Sequence, residues 1–167
     1  MPKYKRKTIC FGGTLAAIGC FIRALQLLLS YFGNGFASAK WLYITMLCLL
    51  CGGFAMMCYE RKGKTSAFAI FAAVSGLMTS TMGNMSDGND GLRIASAIFL
   101  LLTFVFGSLS VYTSSKNNNL RRIGAVATIV FALICEVAAF GVPVPPTITA
   151  VALLLAYITM GISLISI

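Results

Sequence analysis

Six long apolar stretches, separated by short polar or basic clusters and, before the last, by the proline turn Val142-Pro143-Val144-Pro145-Pro146, constrain this chain more than any other feature. They run at about 8–32, 41–59, 65–83, 94–112, 123–141 and 147–167. At 1.5 Å of rise per residue, about 20 apolar residues cross a hydrocarbon core of about 30 Å. Each stretch therefore has the length of one membrane-spanning helix, and the chain is expected to be all-α, a polytopic membrane protein built as a six-transmembrane-helix bundle. No polar segment is long enough for a separate soluble unit, so residues 1–167 are expected to form one transmembrane domain.

The balance of residues agrees. Hydrophobic residues make up 59% of the chain and charged residues only 10%, more apolar surface than a soluble core of this size can bury. The net charge of +9 does not imply a nucleic-acid partner, because the basic residues flank apolar spans rather than decorate a soluble face. They set topology instead. With the N-terminus inside, Lys3, Lys5, Arg6, Lys7, Arg61, Lys62, Lys64, Lys116, Arg121 and Arg122 lie on the cytoplasmic side, and only Lys40 and Arg93 lie outside. The positive-inside rule then predicts both termini in the cytoplasm, in a plasma or inner membrane. The same count supports the third stretch, the least apolar, since removing it would move the later basic clusters to the other side.

Small residues recur along that third stretch at Ala69, Ala72, Ala73, Gly76, Ser80 and Gly83. Such a stripe lets backbones approach closely in lipid, and it predicts a helix at the centre of the bundle. Gly12, Gly13, Ala16, Gly19 and Cys20 form a less regular version on the first span. Trp41, Tyr43, Tyr31 and Tyr59 fall near expected interfaces, where amphipathic rings are favoured. Three spans in each half also satisfy the parity of an inverted repeat. Ala37-Ser38-Ala39 has the small residues of a signal-peptidase site, but the preceding apolar stretch is too long for a signal sequence and contains Arg23. An uncleaved first span is expected.

Two charges interrupt the spans, Arg23 and Glu136. A charge at a helix centre costs about 2.5–3.5 kcal/mol on insertion scales, so a bundle that retains two should pair or hydrate them. Counted from the expected span ends, they lie within about 6 Å of each other in depth. One reading is a polar cavity lined by Arg23, Gln26 and Glu136, with Asn84 or Asp87 at its mouth, holding an anionic or polar solute or relaying a proton through Glu136. The other is a structural ion pair between the first and fifth spans.

Other motifs carry less. Ser86-Asp87-Gly88-Asn89-Asp90-Gly91 resembles a calcium loop but has no distal Glu, and its residues are those of an ordinary turn. Cys48 and Cys51 form a Cys-x-x-Cys pair in apolar surroundings that oppose the reactive thiolate. All six cysteines lie in apolar spans and are expected to remain thiols, and the chain has no histidine. No catalytic residues, metal or cofactor are therefore nominated. The expected role is non-enzymatic binding or transport of a small solute. The alternative is an accessory or assembly subunit with a membrane-protein partner or a second copy of itself, in contact with the lipid bilayer.

Overall fold

The computed structural model describes residues 10–33, 40–86, 88–115 and 118–165. The basic cluster Lys3 to Lys7, the Ala37-Ser38-Ala39 stretch, Asp87 and Lys116 lie outside the described residues. The elements are α1 (Phe11–Tyr31), α2 (Lys40–Glu60), α3 (Lys64–Asn84), α4 (Asp90–Ser114), α5 (Asn119–Val137) with a 3-10 turn (Ala138–Phe140), and α6 (Pro146–Ile165). The protein is all-helical, and six of its helices are long and apolar enough to cross a membrane.

Two boundaries differ from the sequence expectation because asparagine caps extend the helices into the polar clusters. Asn89 accepts hydrogen bonds from the backbone N–H of Gly91 at 3.0 Å and Leu92 at 3.3 Å, so α4 begins at Asp90 rather than near Ile94. Asn118 accepts from Leu120 N–H at 3.1 Å and starts α5 at Asn119, which places Arg121 and Arg122 inside its first turn. Both caps satisfy amide donors that a helix start otherwise leaves unpaired.

Each helix packs antiparallel on the next, and α6 closes back on α1, giving an up-and-down ring in chain order. Packing is closest within the hairpins α1/α2, α3/α4 and α5/α6. This groups the helices in twos, where the inverted-repeat parity would group them in threes.

The centre belongs to the even-numbered helices. The largest fully buried apolar side chains are Phe54 and Met57 of α2, Phe104 and Val111 of α4, and Met160 and Leu164 of α6. Phe54 and Met160 both converge on Gly107, and the Phe104 and Tyr157 rings meet edge to face at 4.9 Å. The odd-numbered helices present small residues to this core: Ala16 and Ala17, Ala69 and Ala72, Ala125 and Ala132. The expectation of a central third helix is therefore corrected. The small-residue face of α3 packs against α2 and α4 while Ile70, Phe71, Val74 and Leu77 remain exposed on its other side. A small-residue stripe specifies how closely a neighbour approaches, not how many neighbours a helix has.

The closest backbone approach is between α1 and α2. A Cβ added at Gly12 would stand 2.6 Å from the Gly53 carbonyl oxygen, and one at Gly19 would stand 2.7 Å from Leu50 N. At the Phe11 end of this hairpin, Glu60 reaches across from the last residue of α2 to the first turn of α1. Its Oε2 accepts from Gly12 N–H and from the Cys10 thiol, both at 3.0 Å. Cys10, the N-cap residue, makes no side-chain cap of its own.

Candidate functional site: the Arg23 cluster

Arg23 is half-buried on the face of α1 that turns toward α2 and α6. Its Nη1 donates to Gln26 Oε1 at 3.3 Å, one turn along the helix, where Gln26 is only 3% exposed. The guanidinium carbon lies 5.6 Å from the centre of the Tyr43 ring on α2, within cation-π range. Tyr157 of α6, 5% exposed, also interacts electrostatically with Arg23. The cation thus rests among the Gln26 amide, the Tyr43 ring and the Tyr157 hydroxyl, drawn from three helices, with no acidic side chain in contact among the described residues.

Sequence reasoning found Arg23 and Gln26 through the cost of a charge in a span and the i, i+3 spacing. It missed the tyrosines' part. Tyr43 reads as an interfacial ring, and nothing local in the sequence of α6 ties Tyr157 to a residue on α1.

Glu136 stands apart. It is 6% exposed near the end of α5, on the stripe Ala125, Thr128, Ala132 and Glu136 that faces the bundle. Among the described residues it makes no hydrogen bond or ion pair; the one salt bridge joins Arg93 to Asp90 at 3.3 Å on the surface. The expected alternative of an Arg23–Glu136 ion pair is not formed. In the ring, α1 packs on α2 and α6 while α5 packs on α4 and α6, so α6 stands between the helices that carry the two charges. Matching depth along the membrane normal did not imply matching position around the ring. Asn84 is exposed at the last residue of α3, a helix that packs on α2 and α4.

The α6 surface carries shallow apolar grooves. One of about 460 Å³ lies between α1 and α6, lined by Leu27, Tyr31, Ala150 and Leu154 among others. Another of about 330 Å³ lies between α5 and α6, around Phe131, Ile134, Ile148 and Val151. The Cys-x-x-Cys residues point differently: Cys48 is exposed, and Cys51 is buried against α3 with its Sγ next to Gly76. All six cysteines are free thiols.

Helix length, apolarity and ring packing define a multi-pass helical membrane protein. Compared with protein-family models, curated proteins and solved structures, the chain has no match.

Proposed function

We propose that this protein binds, and carries across the membrane, a small anionic solute whose charge is received by Arg23. The observation that carries this reading is a half-buried guanidinium held by neutral partners only, Gln26, the Tyr43 ring and the Tyr157 hydroxyl. A cation kept at that depth without a carboxylate has high affinity for an anion, and the planar fork of arginine suits a carboxylate. Gln26 and Tyr157 add neutral polar groups that orient a ligand without cancelling its charge. Glu136 is on α5, the other neighbour of α6, and belongs to a separate place in this scheme. The protein sits in a plasma or inner membrane with its termini in the cytoplasm, since Arg61, Lys62, Lys64, Arg121 and Arg122 gather at one end of the bundle.

Thermal melting of the detergent-purified protein with acetate, succinate or glutamate tests the binding. At least one carboxylate should raise the melting temperature of the wild type and leave that of Arg23→Gln unchanged. If the shift persists in Arg23→Gln, or no carboxylate produces one, the reading fails.

A second reading, an accessory or assembly subunit, is favoured by the grooves on both sides of α6, each of a size to seat apolar side chains of a neighbouring helix. A stoichiometric partner retained through purification in mild detergent would support it, and a homogeneous lone chain would count against it.

A further inference from the structure

Where α4 ends and α5 begins, buried polar atoms collect without hydrogen-bond partners. Among the described residues, four buried side-chain nitrogen or oxygen atoms lack any hydrogen-bond partner: Ser108 Oγ, Ser115 Oγ, Arg121 Nε and Arg122 Nε. All but Ser108 belong to this one junction. Ser115 is 2% exposed, so its hydroxyl cannot look to bulk solvent. Buried polar groups are nearly always satisfied in native structures, and each exception calls for an explanation such as strain, a water, an ion or a ligand group.

The charge at this junction has the same sign throughout. Arg121 and Arg122 occupy the first turn of α5, which carries no acidic residue. Cations there add to the positive end of the helix dipole instead of offsetting it, and the local field favours an anion. Arg122 is held with its guanidinium 4.9 Å from the centre of the Tyr112 ring. No hydrogen bond or ion pair engages Arg121 among the described residues.

Beside Arg121 an apolar groove of about 250 Å³ runs between α5 and α6, lined by Ile123, Gly124, Ala127, Thr159 and Ser163. Its rim residues Leu120 and Ile123 are exposed, so the groove opens outward, toward lipid in a spanning bundle. A cationic head joined to an outward apolar channel complements a molecule that has a phosphate at one end and a hydrocarbon chain at the other.

We propose that Ser115 at the end of α4, Arg121 and Arg122 at the start of α5, and this groove form a binding site for one anionic phospholipid. The headgroup phosphate accepts hydrogen bonds from the Arg121 and Arg122 guanidinium groups and from Ser115, and an acyl chain lies along Ile123, Gly124 and Ala127. The site is independent of the Arg23 reading, since it uses different residues and lies at an end of the bundle rather than at the depth of Arg23.

Native mass spectrometry of the full chain, released from micelles supplied with equal phosphatidylglycerol and phosphatidylcholine, tests the site. Phosphatidylglycerol adducts should dominate on the wild type. A cation beside an anionic headgroup is worth about fivefold in affinity, so R121Q/R122Q should reduce those adducts about 25-fold. A127L, which fills the groove without changing charge, should reduce them as well, and Arg93→Gln at the other end should leave them unchanged. If the double variant does not fold, Arg121→Gln alone and A127L carry the test. Equal retention of the two lipids, unchanged adducts in R121Q/R122Q, or full displacement of the lipid by inorganic phosphate would each overturn the proposal, the last by showing a site for the free anion.

Discussion

Glu60 caps a helix that is not its own. Its carboxylate accepts the Gly12 N–H at 3.0 Å, joining the last residue of α2 to the first turn of α1, where the N-cap residue Cys10 makes no side-chain cap. The contact places a negative charge at the positive end of the α1 dipole and satisfies an amide that the helix itself cannot. Related hydroxyl pairs link the other hairpins, Thr65 to Thr113 and Thr128 to Thr159, each at 2.9 Å.

Replacing Glu60 removes that cap. Glu60→Ala should destabilise the protein by about 1 kcal/mol, the usual worth of an N-cap acceptor, and Glu60→Gln, which keeps an acceptor oxygen, by less. Denaturant titration in detergent measures the difference; equal losses for the two variants would show that charge rather than the hydrogen bond dominates.

Gly52 and Gly53 are adjacent but opposite in consequence. A Cβ at Gly53 would stand 2.7 Å from the Gly12 carbonyl oxygen and against the Ala16 backbone, whereas one at Gly52 meets nothing within 4 Å. Gly53→Ala should therefore cost about 1–3 kcal/mol by forcing α1 and α2 apart, and Gly52→Ala should leave stability unchanged or slightly improved. A common effect at both positions would contradict the packing.

The Thr128–Thr159 pair between α5 and α6 is a hydrogen bond in a largely apolar setting. One hydroxyl donates to the other, and the accepting hydroxyl gives its own proton to a carbonyl one turn earlier on its helix, Gly124 for Thr128 or Leu155 for Thr159. A double-mutant cycle with Thr128→Val and Thr159→Val should give a coupling of about 0.6 kcal/mol, the average for interhelical hydrogen bonds in membranes. A coupling several times larger would mean that this pair, not side-chain packing, holds the hairpin.

Arg23 and Glu136 should behave as independent sites. Because α6 lies between their helices, the stability effects of Arg23→Leu and Glu136→Leu should add to within about 0.5 kcal/mol. A stronger coupling in the double variant would require the ion pair that the ring arrangement separates.

Much of this protein was legible along the chain. Span length alone marks six helices, because a hydrocarbon core demands about 20 apolar residues per crossing and tolerates few charges. Arg23 stood out by the same rule, and its bond to Gln26 follows from helical spacing. What the sequence could not determine was azimuth, the direction each helix face turns within the ring. Hydropathy in lipid is a weak guide to it, since the core and the solvent are both apolar. So the stripe on α3 suggested a central helix where packing sets it against α2 and α4, and Arg23 and Glu136 suggested a pair where α6 intervenes. Only the tertiary arrangement brought Tyr43 and Tyr157 to Arg23, carried Glu60 to the start of α1, and left polar groups unpartnered at the α4–α5 junction. Each of these depends on residues far apart in sequence meeting across helix interfaces, and side-chain size at the contact decides that meeting where hydrophobicity does not.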